Sequence, residues 1–326
     1  MVRPGPLDAG RVTALDDDWS VMSEESEGTT VAVLGMGNMG RALATRLLAY
    51  DYRVLVWNRS ERDLSALYDR GAEALPSLSM AWRSVDVVIS FVANDDALRE
   101  ICLGPEGILT AEVGHGLFVD MSTVSPTVSL EVGNAAARAG VDYLRSPVSG
   151  NPSVVAAGNL TLIVSGQLEV FERARELLNA IGPTVLYVGD AEQARLVKLA
   201  INAGLAITAE LLAELILLTE CYGLDRATFL DVLGQSVLGS PFVKYKTVGL
   251  NERDYSATFT TTLLAKDLQL ALDLADNADL TLPTVQLVAS LVESAKEGYA
   301  DVDFAALLPR IQQAHGQTPD ISPSDD

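Results

Sequence analysis

The sequence predicts an α/β domain with an open parallel sheet, followed by an all-α domain, with a long helix joining the two. Three observations support this prediction. Apolar segments of strand and helix type alternate between about residues 30 and 190, and a glycine-rich turn follows the first of them. From residue 191 onward the apolar periodicity is helical. A chain of 326 residues is long enough for two such domains.

The composition fits a folded, soluble protein. Hydrophobic residues make up 48% of the chain, and 23 basic residues against 44 acidic ones give a formal net charge of -21. This charge opposes binding to nucleic acid or to an anionic membrane, so an anionic ligand must be held by local donors. The two cysteines, Cys102 and Cys221, lack metal-type spacing. We therefore expect no metal site and free thiols in the cytoplasm.

Both ends of the chain are acidic and rich in Gly, Ser and Pro. We predict a disordered leader over residues 1–28 and a disordered tail over residues 316–326. Between them we expect a nucleotide-binding domain at 29–190 and a helical domain for substrate binding and dimerisation at 191–315. The most apolar stretch, "LLAELILLT", contains Glu214 and is too short and too charged to cross a bilayer.

The first strand, Val31 to Leu34, is followed by glycines in the spacing G-x-G-x-x-G, then by helical "RALATRLLAY" and strand-like "YRVLVWN". This order is typical of the Rossmann fold, in which the glycines allow a tight turn, close approach to pyrophosphate and helix–strand packing. The helix N-terminus offers N–H groups and a positive dipole to phosphate. The residues predicted to contact the cofactor here are Gly35, Met36, Gly37, Asn38, Met39 and Gly40.

The end of the second strand favours NADP(H) over NAD(H). An NAD site usually has Asp or Glu there, whereas this chain has Asn58, Arg59 and Ser60. A guanidinium beside a hydroxyl suits a 2′-phosphate. The alternative is that Arg59 merely covers a surface loop.

Four later segments, "VDVVISFVAN", "GLFVDMSTVSP", "DYLRSPVSG" and "LTLIVSG", are expected to continue the open parallel sheet. Ligands bind at the carboxyl ends of the strands in such sheets. The residues at these ends include Val92, Ala93 and Thr123, which we expect to contact the cofactor. Ser122, Ser149 and Gly150 lie at the ends of the same segments. Ser122 and Thr123 suit ligand binding and the capping of the helix after Pro126 equally well.

The long helix, from Glu192 to Cys221, has Lys198 and Asn202 on one face among apolar residues. A lysine there either reaches out to solvent along its aliphatic stem or acts as a catalytic ammonium with a pKa lowered by burial. The spacing alone favours the first interpretation. Further on, "SPFVKYKTVGLNERDYSATFT" predicts an irregular segment in which Lys244 and Lys246 are solvated.

Six motifs occur in an order that is typical of one family. They are "VLGMGNMG", "VWNRS", "DMSTVSP", "SPVSGNPSVVAAGNLTLIVSG", "GDAEQARLVKLAINAGL" and "FTTTLLAKDLQLAL". Over about residues 30–315 the chain resembles the β-hydroxyacid dehydrogenases, in particular the 3-hydroxyisobutyrate dehydrogenases with their glyoxylate and succinic semialdehyde reductase branch. The resemblance implies a Rossmann domain, a long helix, an all-helical domain and a homodimer or homotetramer that packs through the helical domain.

The resemblance also implies roles for individual residues. Lys198 matches the general acid/base of a reaction that interconverts a small β-hydroxy acid and its aldehyde or oxo acid, and Asn202 matches its neighbouring amide. Ser122, with Ser149 and Gly150, matches the pocket for the carboxylate of the substrate. Lys266 matches a lysine that reaches toward the nicotinamide, while Asp267 is expected to be structural.

The chain departs from the family pattern D-A-P-V-S-G-G, which here is "RSPVSGN". Asn151 replaces the second glycine beside the implied carboxylate site, where it narrows the pocket or recognises another polar group. Arg145 is expected at the surface or at a subunit interface. "FVAND" replaces a Leu-Pro-Asn type of stretch near the nicotinamide.

Two other functions fit part of the pattern. Imine reductases share the fold and the NADPH motif, but they usually have Asp or Tyr at the position of Lys198. A non-catalytic NADPH-binding regulatory protein would keep the glycines and Arg59 without needing Lys198, Asn202 and Lys266.

Overall fold

The computed structural model describes residues 28–110, 113 and 115–321. The predicted leader lies outside the described residues apart from Gly28. The chain divides into two compact units between Lys198 and Leu199.

Six strands form the main sheet of the first unit. They are β1 (Thr30–Leu34), β2 (Arg53–Trp57), β3 (Glu73–Ala74), β4 (Val87–Ser90), β5 (Leu117–Asp120) and β6 (Asp142–Arg145). Their order is β3-β2-β1-β4-β5-β6, and every neighbouring pair is parallel. This is the strand order of the Rossmann fold, so the predicted fold class of this unit is confirmed.

Helices cover both faces of this sheet. They are α1 (Asn38–Ala49), α2 (Ser65–Tyr68), α3 (Asp95–Leu103), α4 (Pro126–Ala139), α5 (Pro152–Ala156) and α6 (Leu168–Ile181), with a 3₁₀ turn at Leu78–Arg83. Side chains alternate along β1, so that Val31 and Val33 belong to one apolar cluster while Ala32 and Leu34 belong to the other. A strand that is buried on both faces explains the continuous apolar run of β1.

The parallel sheet continues as predicted through β6 at the start of the segment DYLRSPVSG, but the end of that segment and the segment LTLIVSG do not continue it. β7 (Val148–Ser149), β8 (Thr161–Val164) and β9 (Thr184–Tyr187) form a separate three-stranded sheet in which β7 and β8 are antiparallel. After β6 the chain pairs with β8 in the antiparallel direction, because Arg145 bridges Ser165 and Ile163 N donates to Pro147 O. Pro147 also has no N–H with which to extend a parallel ladder.

The long helix α7 (Gln193–Cys221) begins in the first unit and continues into the second. Its first turn is bound to the first unit, because Ala194 N donates to Ser165 Oγ, which itself donates to Ala191 O. The division between the two compact units falls inside α7, between Lys198 and Leu199. Among the described residues α7 alone has the length and mean hydropathy, 1.8, of a membrane-spanning helix, and half of its most apolar window is buried within the protein.

The second unit is helical throughout its described residues, as predicted. After α7 it contains α8 (Arg226–Gln235), α9 (Pro241–Glu252), α10 (Thr261–Asn277), α11 (Pro283–Tyr299) and α12 (Leu307–Ala314), with a 3₁₀ turn at Phe304–Ala306. Helix α9 corrects the predicted irregular segment. Ser240 caps it by accepting from Val243 N, and Pro241 occupies the first turn, where its missing N–H costs nothing.

Two buried ion pairs in the second unit correct further predictions. Lys246 is buried and donates to Asp303 at 2.5 Å rather than being solvated; burial lowers its pKa, which Asp303 opposes. Asp320 is also buried and accepts from Arg226 at 2.5 Å and from Tyr255 at 3.0 Å. Asp320, which lies within the predicted tail at 316–326, thus has partners in the helical unit, and residues 322–326 lie outside the described part of the chain.

Candidate active site

The loop between β1 and α1 can contain only glycine at two positions. Gly35 has a φ of +98°, and a Cβ there would lie 2.1 Å from the Phe91 carbonyl oxygen. A Cβ at Gly40 would lie 2.0 Å from the Gly35 carbonyl oxygen. A Cβ on Gly37, by contrast, would meet no described atom within 4 Å, so the loop is open to a ligand at that position. This is the division of roles that a pyrophosphate-binding loop requires.

The N-terminus of α1 differs from those of most other helices in the chain. No side chain caps it, whereas Asn94, Ser125, Asp225, Ser240 and Thr260 each cap the helix that follows them. An uncapped N-terminus leaves N–H groups and a positive dipole for an anion. The exposed Asn38 and half-buried Met39 lie in this first turn. These residues fit the diphosphate of a dinucleotide.

Met36 and Asn58 support this loop from within the protein. The side chain of Met36 is fully buried. Its N–H donates to Asn58 Oδ1 at 2.9 Å, and its carbonyl accepts from Arg41 Nε at 3.1 Å. The Asn58 amide nitrogen donates to Ser60 O. Met36 therefore offers a cofactor no free backbone N–H, and Asn58 joins the glycine loop to the end of β2.

Arg59 and Ser60 are exposed directly after this junction. Within the described residues Arg59 has no hydrogen bond or ion pair, so its guanidinium is available to a ligand. The first residue after β2 is the amide Asn58 rather than a carboxylate. An exposed guanidinium beside a hydroxyl can bind a phosphate group.

Ser122 lies two residues after β5 and is buried. Its hydroxyl accepts from Val92 N at 3.0 Å, which leaves the hydroxyl proton to be donated elsewhere. The alternative role as a helix cap is excluded for Ser122, because Ser125 caps α4 by accepting from Val128 N at 3.1 Å. Thr123 is half-buried and Ala93 is exposed beside these groups.

A buried ion pair underlies this edge of the sheet. Asp120, at the end of β5, accepts from Ser90 Oγ at 2.6 Å and from Ser122 N at 3.0 Å through Oδ1. Arg195, in the first turn of α7, is 1% exposed. Its guanidinium donates to Ser129 Oγ (3.1 Å), Ser122 O (2.6 Å), Asp120 Oδ2 (2.5 Å), Asp120 O (3.4 Å) and Tyr143 Oη (3.1 Å).

This network keeps Arg195 charged. Burial alone would lower the pKa of Arg195, but the Asp120 carboxylate raises it above its usual value. Burial also raises the pKa of the Tyr143 phenol, so that Tyr143 stays neutral. Sequence reasoning missed all of these partners. An arginine on the apolar face of a predicted core helix was the signal available, since such a charge needs a buried partner.

Lys198 is half-buried in α7, one turn after Arg195 and one turn before Asn202. Asn202 is buried, and its amide nitrogen donates to Asp267 at 2.5 Å. Its amide oxygen has no hydrogen-bond partner among the described residues. A buried polar atom without a partner is a candidate for binding a ligand. Lys266 forms an ion pair with Asp267 at 2.9 Å, so Asp267 holds two of the predicted site residues.

The segment after β7 shows why the family glycine is not needed at Asn151. Its φ is -125°, and its side chain caps α5 by accepting from Val154 N at 3.0 Å and from Ser153 Oγ at 2.7 Å. The half-buried Ser149 ends β7, and Gly150 has a φ of +145°, which favours glycine. The substrate contact predicted for Asn151 would thus fall to its amide nitrogen.

Arg145 is not a surface residue as predicted. It is 8% exposed, lies over the Tyr143 ring at 4.5 Å and pairs with Glu192 at 2.5 Å. Because its charge is buried at the end of β6, Arg145 needs a carboxylate partner. Glu192, immediately before α7, supplies it. In the described part of the chain, no three His, Cys, Asp or Glu side chains lie together as a metal site requires.

Two family models match the two parts of the chain. The NAD binding domain of 6-phosphogluconate dehydrogenase matches residues 30–189. The NAD-binding model of NADP-dependent 3-hydroxyisobutyrate dehydrogenase matches residues 193–311. Among solved structures, Psf3 in complex with NADP+ and 2-OPP is 27% identical, with a TM-score of 0.80 over 86% of this chain and 99% of that one.

Relatives of full length extend this likeness. The chain is 33% identical to the uncharacterized oxidoreductase YfjR of Bacillus subtilis, over 86% of this chain and 99% of the relative. It is 31% identical to 3-hydroxyisobutyrate dehydrogenase of Pseudomonas aeruginosa, over 86% and 97%. An imine reductase from Pseudomonas sp. is 20% identical with a TM-score of 0.54 over 87% of this chain and 99% of that one, which shows the shared fold alone. The chain therefore belongs to the β-hydroxyacid dehydrogenase family of NAD(P)-dependent oxidoreductases.

Proposed function

We propose that this protein is an NADP-dependent oxidoreductase that interconverts a small β-hydroxy acid and its aldehyde or oxo acid, with Lys198 as the general acid/base. One observation carries the proposal. The first turn of the helix that holds Lys198 is hydrogen-bonded directly to Ser122, because Arg195 Nη1 donates to Ser122 O at 2.6 Å. An amine and a hydroxyl donor are thereby held beside the strand ends where ligands of this fold bind.

Ser122 is suited to hold the carboxylate of the substrate. Its hydroxyl accepts from Val92 N and has a proton to donate. A protein with a net charge of -21 does not attract an anion through its overall field, so local donors must supply the binding. Ser149, Gly150 and the amide nitrogen of Asn151 are the further donors that we propose for this carboxylate.

Lys198 is suited to move the proton of the substrate hydroxyl. In oxidation the neutral amine accepts this proton, and in reduction the ammonium donates it to the developing alkoxide. The unpartnered Oδ1 of the buried Asn202 can accept a hydrogen bond from the ammonium or from the substrate hydroxyl. Asp267 fixes the Asn202 amide in the orientation that presents this oxygen.

The cofactor that we propose is NADP(H), with NAD(H) as the alternative. The uncapped N-terminus of α1 and the open position at Gly37 would hold the diphosphate, and Arg59 with Ser60 would hold the 2′-phosphate. Lys266 would approach the nicotinamide, as the family resemblance implies. When bound, the nicotinamide supplies or accepts the hydride.

The test compares wild type with Lys198→Ala and the control Lys198→Arg, which keeps a charge but cannot act as a base near neutral pH. NADPH-dependent absorbance is followed with a panel of aldehyde acids, 2-oxo acids and cyclic imines, and NADPH binding is measured separately. We expect turnover of an aldehyde or oxo acid to fall by about 100- to 10,000-fold in both variants, with NADPH binding kept.

Other outcomes of this test would decide between the alternatives. Turnover that is indifferent to Lys198 would refute the mechanism. Reduction of the cyclic imines alone would support an imine reductase. Tight NADPH binding without any turnover would support a non-catalytic protein. For the cofactor, Arg59→Ala should weaken NADPH binding and leave NADH binding unchanged, and an equal loss for both would refute the assignment of Arg59.

We also propose that the protein is a homodimer or homotetramer. Several large apolar side chains of the helical unit are exposed, including Leu218, Tyr222, Val232 and Val248. Large apolar side chains that form a contiguous exposed patch mark subunit interfaces, and we propose that these side chains belong to one. Light scattering after size-exclusion chromatography should give a mass of at least two chains, and a monomer at micromolar concentration would refute the proposal.

A further inference from the structure

Arg195 is an unusual residue to find in the first turn of a core helix. It is the largest side chain that is fully buried in the described residues. A buried ion pair is a weak source of stability, because apolar residues of similar volume usually stabilise as well. Its immediate neighbour Ala194 and the later Leu199 show that apolar residues also anchor this helix. What a guanidinium adds at this position, and an apolar side chain cannot, is a set of hydrogen bonds with fixed directions.

The direction of these hydrogen bonds fixes one residue in particular. Asp120 Oδ1 accepts from Ser122 N, and Arg195 Nη1 donates to Ser122 O. The peptide groups on both sides of Ser122 are thus held by the two members of a single ion pair, which are joined to each other at 2.5 Å. Planar guanidinium donors impose such geometry more strictly than a lysine would.

The same guanidinium is one helical turn from Lys198. Residues three apart on a helix lie on the same side, so a displacement of the first turn moves both of them together. Arg195 therefore links the helix turn that carries the proposed proton-transfer group to the peptide groups of the residue that carries the proposed carboxylate-binding hydroxyl.

We propose that Arg195 is a positioning residue that sets the separation between the Lys198 amine and the Ser122 hydroxyl. This inference rests on the proposed function. It predicts that removing the guanidinium moves the two groups relative to each other, although neither is changed. Misplacement of reacting groups by about 1 Å is enough to cost about 100-fold in rate.

The first variant is Arg195→Met. We expect kcat/KM for the carbonyl acid to fall by about 100-fold, with a higher KM for the acid and a lower kcat, while the Kd for NADPH stays close to that of wild type. Cofactor affinity is spared because the glycine loop and Arg59 make no hydrogen bond to Arg195 in the described residues. If Arg195→Met is folded by circular dichroism and nevertheless loses NADPH binding to the same extent as kcat/KM, the proposal is overturned.

The decisive variant removes both charges. Asp120→Asn combined with Arg195→Met leaves no unpaired buried carboxylate, so we expect it to recover thermal stability. The donor to Ser122 O is still missing, so we expect kcat/KM to stay low. A purely structural ion pair would instead recover stability and kcat/KM together, which would refute the positioning role. This variant also carries the test if Arg195→Met fails to fold.

Arg145→Met is the matched control. Arg145 is a buried guanidinium in the same unit, and it pairs with Glu192 immediately before α7. It makes no hydrogen bond to Ser122 in the described part of the chain. We expect lower thermal stability with kcat/KM retained, and a loss equal to that of Arg195→Met would overturn the proposal. If Lys198→Ala keeps full activity, the proposed function itself fails. If Lys198→Ala loses activity but the double variant recovers the kcat/KM of wild type, the proposed function stands and only the positioning role of Arg195 is refuted.

Discussion

The two units use buried guanidinium–carboxylate pairs in different places. In the first unit, Arg195 and Asp120 lie at the carboxyl ends of the strands and hold Ser122. In the helical unit, Arg226 and Asp320 join the start of α8 to the segment after α12, and Arg226 also donates to Leu250 O at the end of α9. The same kind of ion pair thus holds a candidate site residue in the first unit and holds the segment after α12 in the second. The location of each pair in the fold determines whether its loss should affect ligand binding or stability.

The N-terminus of α1 makes a second contrast. Helices α8, α9 and α10 of the second unit each have a side chain as N-cap, so their first N–H groups are partly satisfied within the protein. Helix α1 has none, although α3, α4 and α5 of the same unit are capped and α11 and α12 of the second unit are not. The open N-terminus is therefore a property of α1 and not of its unit. We expect mutations at the start of α1 to affect ligands and mutations of the Arg226–Asp320 pair to affect stability.

Among the substitutions that test this contrast between the units, Arg226→Met should have the largest effect on stability. The variant leaves the buried Asp320 carboxylate without its main partner, and we expect a loss of about 3 to 5 kcal/mol in the free energy of unfolding. Since Arg226 touches no predicted site residue, kcat and the Kd for NADPH should stay near wild type at a temperature where the variant is folded. Urea unfolding and steady-state kinetics measure the two effects. A loss of activity without a loss of stability would break the comparison.

The next effect separates two glycines of a single loop. Gly40→Ala places a Cβ 2.0 Å from a backbone carbonyl, so we expect it to lower the free energy of unfolding by about 1 to 3 kcal/mol without any ligand. Gly37→Ala meets no described atom within 4 Å and has a φ of -70°, so its stability should change by less than about 0.5 kcal/mol.

Their cofactor affinities should follow a different order. The methyl group of Gly37→Ala would occupy the space through which the diphosphate approaches the backbone, so we expect NADPH binding to weaken about tenfold or more, equivalent to about 1.4 kcal/mol. Fluorescence titration with NADPH and thermal unfolding of both apo variants test this. If Gly37→Ala binds NADPH as wild type does, the diphosphate does not lie over this loop.

A smaller effect depends on pH. Burial alone would raise the pKa of Asp320, but hydrogen bonds from Arg226, Gln312 and Tyr255 hold it below its usual value of 3.8. A lowered folded-state pKa stabilises the protein above the unfolded pKa, and this stabilisation is lost as the pH falls through the folded pKa. Asp320→Asn should therefore cost about 1 to 2 kcal/mol at pH 7, and the difference from wild type should shrink below about pH 4. Chemical unfolding between pH 3 and pH 7 would show this, and a difference that is independent of pH would contradict it.

The sequence was sufficient where structure is local. The unit β1–α1–β2, the glycine loop between its first two elements and the shared face of Lys198 and Asn202 follow from periodicity and spacing over a few residues. The separate sheet β7–β9 was missed because strand pairing depends on partners distant in sequence. Arg195 and Asp120 are 75 residues apart, and nothing near either residue identifies the other.

Two further misses have the same cause. Helix α9 is amphipathic only weakly, and its Lys246 looks solvated until Asp303, 57 residues later, is brought beside it. The segment after α12 reads as a polar tail because the sequence does not show Arg226, which is 94 residues before Asp320. Buried charges are the least local feature of the chain, so they account for most of what sequence reasoning could not place.

The smallest effect concerns Gly204 in the middle of α7. Unlike Gly35 and Gly40 it is exposed, and a Cβ there would meet no atom of the described residues within 4 Å. Glycine in a helix interior is less favourable than alanine, so Gly204→Ala should raise the free energy of unfolding by about 0.5 to 1 kcal/mol. It lies two residues from Asn202 and hence on nearly the opposite side of the helix, so kcat should not change.

Thermal unfolding and sedimentation velocity of Gly204→Ala, measured together, show whether this position is free of contacts or packs against a second copy of the chain. A more stable protein of unchanged mass would confirm that Gly204, unlike Gly35 and Gly40, is not required for close packing. A less stable protein that also dissociates would show that a second copy of the chain packs against this position. That result would extend the comparison, because an obligatory glycine in the helical unit would then serve assembly, whereas those in the Rossmann unit serve the cofactor loop.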